Sequence, residues 1–241
     1  MMGQSEKLTV RKGEVDLWLL PLDQPLSEAA SSIINAEEQR RADRYLRPVD
    51  RRRFVAARSM MRVILGRYLD MRPADMAFVI GPHGKPAIDP TLNPSVFFNL
   101  SHSGDRGVLA VGPMELGVDV EEIRPDIHVD GLAARFYAPA EQQYLLKLSV
   151  SERRDAFFAI WAGKEAYCKA LGLGLHLPTD RYAVVPVQTS PWDIADSTCS
   201  RDVAPKVYPL VVAAGFACAV AASESIQSIN VREWKTEDQQ S

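Results

Sequence analysis

The 241-residue sequence predicts an α+β fold, and three observations carry that expectation. Its composition, 46% apolar, 24% charged and 8% aromatic, is that of an ordinary folded protein and excludes fibres and disordered chains. Short apolar runs that end at turn residues alternate with longer stretches of helical period. Their order lacks the regular strand–helix–strand repeat of a doubly wound sheet. Two halves of similar content also meet near residue 115, each able to form a small helix-on-sheet unit.

The elements follow in order. Val15 to Leu20, containing Trp18 and ending at Pro21, reads as a strand and then a turn before Ser27. Ser27 to about Leu46 and Arg51 to Leu69 read as two helices, broken at Arg47 to Asp50 by Pro48. Val96 to Leu100 and Val108 to Val111 are predicted strands joined by a turn over Ser101 to Gly107, and Leu116 to Val120 is a further strand. Asp130 to Lys147 and Ser151 to Leu171 carry helical period. Tyr182 to Val187 and a hairpin within Val207 to Ala222 return to strand.

With 28 Lys and Arg against 31 Asp and Glu, the net charge of −3 is too near neutrality to steer the whole molecule toward nucleic acid. The longest uncharged run, Val207 to Ala222, has 16 residues and holds Pro209 and Gly215, short of the roughly 20 needed to cross a bilayer. Glu6, Lys7, Arg11 and Lys12 precede any apolar stretch, unlike a signal peptide, so a cytoplasmic protein without a membrane partner is expected. Cys168, Cys199 and Cys218 form no C-x-x-C pair and are expected to be reduced and buried. His83, His102, His128 and His176 lack the short spacings that clamp zinc.

Charge is unevenly placed. Ten arginines lie between Arg40 and Arg67, where a rigid guanidinium fork suits either phosphate recognition or a solvated helix face. Further on, strand alternation in Gly117-Val118-Asp119-Val120-Glu121 puts both carboxylates on one face, roughly 7 Å apart. That pattern fits a magnesium site or a wet strand face. Around Phe157 a helical stripe of Phe157, Phe158, Ile160, Trp161, Tyr167, Cys168 and Leu171 has Lys164 in its middle and Glu165 near its edge. Charges there either snorkel to a rim or face a polar cleft. Glu165 and Lys169 form an i, i+4 pair worth about 0.3 to 0.5 kcal/mol on an exposed helix, which accounts for Lys169 but not Lys164.

Four segments in this order resemble the surfactin-synthetase-type phosphopantetheinyl transferases. They are Gly84-Lys85-Pro86, Phe98-Asn99-Leu100-Ser101-His102-Ser103, the G-x-D-x-E of Gly117 to Glu121, and the W-x-x-K-E-A-x-x-K-x-x-G from Trp161 to Gly172. The R-x-R-F-x-x-A-R pattern from Arg51 to Arg58 is similar to that family's N-terminal basic helix. Phe54 stands where some relatives carry a hydroxyl and Glu38 where others carry a basic residue.

The resemblance implies a two-lobed pseudo-dimer in one chain, 1–115 and 116–241, with the active site in the cleft between the lobes, and a monomer. It also implies transfer of 4'-phosphopantetheine from coenzyme A to a serine of an apo carrier protein of fatty acid, polyketide or nonribosomal peptide synthesis, releasing adenosine 3',5'-bisphosphate. Asp119, Glu121 and Glu165 would hold Mg2+. Lys164 and Lys169 would balance charge on the pyrophosphate, with Glu165 the base. Arg53, Arg58, Lys85, Pro86, Ser101 and His102 would bind coenzyme A, the last two on a turn, and Gly163 would allow close approach of the other lobe. A magnesium-dependent hydrolase of polyphosphorylated nucleotides, or a non-catalytic anion-binding module, would use the same charges.

Overall fold

The computed structural model describes residues 7–92, 94–173, 177–186, 190–196 and 204–235. Along the chain come β1 (Glu14–Pro21), α1 (Glu28–Ser31), α2 (Ala36–Ala42), α3 (Pro48–Leu69), β2 (Phe78–Ile80), β3 (Pro86–Ile88), β4 (Phe97–Ser103) and β5 (Arg106–Gly112). Then follow β6 (Leu116–Glu122), α4 (Val129–Phe136), α5 (Pro139–Leu146), α6 (Val150–Leu171), β7 (Tyr182–Val184), β8 (Ile194–Asp196), β9 (Lys206–Leu210), β10 (Phe216–Ala222) and β11 (Ser228–Glu233). The α+β expectation holds. No helix among the described residues is long and apolar enough to cross a membrane.

The chain divides into two compact units. The first is drawn from residues up to Val79, from Pro86–Pro113 and from the stretch beginning at Ser228; the second from Ile80–Lys85 and Met114–Gln227. These are not the continuous halves 1–115 and 116–241. The last strand, β11, pairs in parallel with β1 of the first unit, Glu14 against Ser228 through Leu19 against Glu233.

In the first unit the sheet runs β11-β1-β5-β4, and α3 covers one of its faces. Trp18 and Leu20 of β1, Leu109 and Val111 of β5, and Phe98 of β4 share a core with Met60, Met61, Ile64 and Leu65 of α3 and with Trp234. Pro48 is the first residue of α3, where its fixed φ suits the helix and its missing N–H costs nothing. The predicted helix from Ser27 to Leu46 is two short ones, because Asn35 opens α2 with a capping box: its side chain accepts from Glu37 and Glu38, and Glu38 Oε2 accepts from Asn35 N. Ser101 and His102 are not on a turn. They are paired in β4 opposite Val108 and Gly107, and the reversal shrinks to Gly104 and Asp105. Pairing with β5 outweighs the turn preference of the Ser-His-Ser sequence.

In the second unit α6 lies on the antiparallel sheet β6-β10-β9. Small side chains set their distance. Ala217, Ala219 and Ala221 of β10 stand opposite Glu121, Asp119 and Gly117 of β6, and Ala162, Ala166 and Ala170 of α6 share their core. A Cβ on Gly117 would fall 2.2 Å from the Ala166 carbonyl oxygen and 2.4 Å from Ala170 N, so the helix backbone rests directly on the strand. Gly117→Ala is therefore expected to lower stability by about 1 to 3 kcal/mol through overpacking, measured as a lower urea midpoint with an unchanged slope.

Three further expectations are corrected in this unit. Helix α6 is not buried along one stripe: its buried positions, Phe157, Phe158, Ile160, Ala162 to Lys164, Ala166 to Cys168 and Ala170, point in most directions, because α4, α5 and β7 pack on it besides the sheet. Gly163 faces Val184 and Val207 of the same unit rather than another lobe: a Cβ added there would lie 3.1 and 3.3 Å from their Cγ1 atoms. The segment Asp130 to Lys147 is two helices, since Pro139 starts α5. Strand β7 ends at Val184, and Val187, like Cys199 and His176, lies outside the described residues. Cys168 and Cys218 are buried free thiols.

Candidate active site

The period-two face of β6 presents Gly117, Asp119 and Glu121 toward α6. Asp119 is 4% exposed, and its Oδ1 accepts from Lys169 Nζ at 2.6 Å, while the same ammonium reaches the Val118 carbonyl at 3.2 Å. Glu165, one turn before Lys169, has its carboxyl pushed up by burial and further by the charge of Asp119, with Lys169 opposing. Gly172 closes the helix in a left-handed conformation at φ +69°, which fixes where the turn carrying Lys169 ends. Glu121 accepts from the Trp161 indole N–H at 3.2 Å.

Asp119, Glu165 and Lys169 thus come together. Among the described residues no group of three or more His, Cys, Asp or Glu side chains is already drawn into a metal cage, and Glu121 shares the β6 face of Asp119. Two carboxylates close enough for one charge to perturb the other, offering oxygen donors only, still fit Mg2+, which commonly binds one or two carboxylates and takes its other ligands from phosphate and water.

Lys164 is elsewhere. It is fully buried, and its ammonium donates to Glu141 Oε1 and Oε2 at 2.7 and 2.8 Å and to the Tyr182 carbonyl at 2.7 Å. Three protons have three acceptors, and the ammonium also lies 4.3 Å from the Tyr182 ring centroid. Glu141 accepts in addition from Ala138 N and Val184 N. Burial pulls the lysine down and pushes the glutamate up, while their mutual attraction opposes both shifts.

The arginines of the first unit differ in what holds them. Arg53 closes both fork nitrogens on Asp23 at 2.8 and 2.7 Å, a contact that raises the guanidinium and lowers the carboxyl. Arg62 is fully buried, bound to Glu38 at 2.8 Å and to the Pro73 and Met76 carbonyls. Arg51 binds Asp43 at 3.0 Å. Arg41 and Arg58 share the Phe54 ring, their guanidinium carbons 5.4 and 5.6 Å from its centroid, and burial pulls Arg58 down. Two cations on one ring repel each other, an arrangement that an anion between them would relieve.

The profile for the N-terminal part of 4'-phosphopantetheinyl transferases matches residues 20–114, and that for the 4'-phosphopantetheinyl transferase superfamily matches residues 115–221. The chain belongs to the 4'-phosphopantetheinyl transferase superfamily. The transferase HetI of Nostoc sp. is 37% identical over 212 residues, 82% of this chain and 90% of that protein. The Sfp transferase of Bacillus subtilis is 32% identical over 164 residues, 68% of this chain and 71% of its own. A Synechocystis protein assigned to the same activity is 39% identical over 160 residues, 66% of this chain and 65% of its own. A holo-(acyl-carrier-protein) synthase from Bacillus anthracis aligns over 46% of this chain and 97% of that one, at 23% identity and a TM-score of 0.38. The enzyme class is 4'-phosphopantetheinyl transferase.

In this transferase, Lys85 is half-buried and donates to Glu115 Oε2 at 2.7 Å and to the Leu116 carbonyl at 3.0 Å, tying the Gly84-Lys85-Pro86 turn to the start of β6. Pro86 opens β3. His102 is exposed and Ser101 buried, as neighbours on a strand facing opposite ways. Glu38 caps α2 and neutralises Arg62. The sequence does not single out Arg41 or Glu141, and it marks Trp161 only as a stripe residue and the start of a motif, not as a partner of Glu121. Arg41 has no signal beyond its nine arginine neighbours, whereas Glu141 stands three residues after Ala138 in a helix start that a capping pattern could have flagged.

Proposed function

We propose that the protein acts as a monomer that moves 4'-phosphopantetheine from coenzyme A to a serine hydroxyl of an apo carrier protein of fatty acid, polyketide or nonribosomal peptide synthesis, with Mg2+ held by Asp119 and Glu165. Adenosine 3',5'-bisphosphate leaves. The observation that carries this reading is the convergence of Asp119, Glu165 and Lys169 from a strand and a helix whose backbones touch at Gly117. When bound, Mg2+ supplies charge neutralisation on the pyrophosphate oxygens.

Phosphoryl transfer depends mainly on positioning and on balancing charge in the transition state. Lys169 supplies a fixed cation beside the leaving bisphosphate. Glu165, whose carboxyl is pushed up by burial and by the charge of Asp119, is thereby a stronger base and takes the serine proton directly or through water. In the first unit, Arg41 and Arg58 across Phe54 suit an anionic group better than Arg53, whose fork is filled by Asp23. Lys164, with all its protons bound inside the unit, supports the α6 framework instead of the pyrophosphate.

Intact-protein mass spectrometry tests the reading. With coenzyme A and Mg2+, at least one apo carrier of the fatty acid, polyketide or peptide type is expected to gain one phosphopantetheine group, and chelation of the metal is expected to stop the gain. No gain on any of the three would overturn it. Coenzyme A cleavage without carrier modification would assign a hydrolase.

A further inference from the structure

We propose that Trp161 is a positioning residue for Glu121: its indole N–H holds the Glu121 carboxylate in the orientation that strengthens binding of the divalent ion seated by Asp119 and Glu165. The inference rests on the metal reading above and concerns a contact that the reading does not use.

The indole is held on several sides. It stacks on Phe157 at 6.5 Å between centroids and 14° between planes, and on Tyr137 at 6.4 Å and 18°. Phe136 meets it edge-on at 5.9 Å and 74°. Tyr137 is itself fixed, its hydroxyl donating to the Phe157 carbonyl at 2.6 Å. The N–H direction is therefore set by packing, and it points at Glu121 Oε1, 3.2 Å away.

Packing alone does not require this contact. A half-buried indole on a helix can give its proton to water, yet here it crosses from α6 to β6 to reach the carboxylate two residues beyond Asp119. Glutamate has three side-chain torsions to order, and a hydrogen bond from a rigid donor selects one arrangement before the ion arrives. Residues that hydrogen-bond a carboxylate beside a metal commonly change metal affinity 10- to 100-fold when removed. Glu121 shares the β6 face of Asp119, and the indole sets the position from which its carboxylate acts on the ion.

Trp161→Phe keeps an aromatic ring in the stack and removes the N–H. Mn2+ binding to the protein saturated with coenzyme A, without carrier, is read from the free-ion electron paramagnetic resonance signal. Trp161→Phe is expected to weaken Mn2+ binding by about 10-fold, leaving KM for coenzyme A at saturating metal within about twofold. In a Glu121→Gln background the same substitution is expected to cause no further loss. As a check on the wild-type protein, Mn2+ is expected to quench part of the tryptophan emission, and Glu121→Gln is expected to shift that quenching to higher Mn2+ concentration.

Unchanged or tighter Mn2+ binding by Trp161→Phe, equal weakening in the Glu121→Gln background, or no wild-type quenching despite Mn2+ binding would each overturn the positioning role and leave the transferase reading standing. If the wild-type protein with coenzyme A binds no Mn2+, the metal reading falls and this inference with it.

Discussion

Asp119→Asn is expected to lower carrier modification by about a thousandfold, equivalent to roughly 4 kcal/mol of transition-state stabilisation, with little change in melting temperature. The substitution keeps size, shape and an oxygen acceptor for Lys169, whose ammonium lies 2.6 Å from Oδ1, so the contact between β6 and α6 is preserved. What it removes is charge. Asp119 is 4% exposed and sits where a second carboxylate, Glu165, already feels its field, so the local negative potential that draws a divalent ion is lost. Glu165→Gln is expected to have a comparable effect, because in the proposed mechanism Glu165 both binds the metal and takes the serine proton. Time courses of intact carrier mass at fixed coenzyme A and Mg2+ measure both variants. A loss under tenfold for Asp119→Asn would mean that Asp119 serves only to anchor Lys169.

Local rules made one side of this site legible. Alternation over Gly117 to Glu121 gave the shared face of Asp119 and Glu121, and the order of the four segments gave the family. Neither could show that Gly117 is small because α6 lies on it, since that reason belongs to a backbone about 50 residues away. Lys164 is the instructive case. Its charge inside an apolar stretch of α6 was a real violation of pattern, but the same violation arises from a substrate-facing cation or from a buried pair, and the deciding partner, Glu141, is on another helix. Arg62 was hidden in the same way, because Glu38 reaches it from α2 across 24 residues. Strand β11 was illegible for a different reason. Its residues are mostly exposed, it is six residues long, and its parallel partner β1 begins 214 residues earlier, so no local turn specifies the pairing.

Lys164→Met is expected to destabilise the protein by about 3 to 5 kcal/mol, a large share of the stability of a domain of this size. The lysine and Glu141 are both fully buried, and removing one partner leaves the other as an uncompensated charge in an apolar core. Glu141 cannot escape by turning outward, because its oxygens also accept from Val184 N and Ala138 N, which join α5 and β7. Glu141→Gln removes the charge and keeps one oxygen for one of the two backbone N–H groups that Glu141 accepts from, so the double variant Lys164→Met with Glu141→Gln is expected to recover part of the loss. Urea unfolding of the two single variants and the double variant measures the coupling. If Lys164 instead touched coenzyme A, Lys164→Met would raise KM for coenzyme A while leaving the unfolding midpoint near wild type, and that result would return the lysine to the substrate. The expected result ties Lys164 to the framework, where the pair secures α5 and β7 against α6. Glu165, the next residue along that helix, then keeps its place beside Asp119 because Lys164 is spent inside the core.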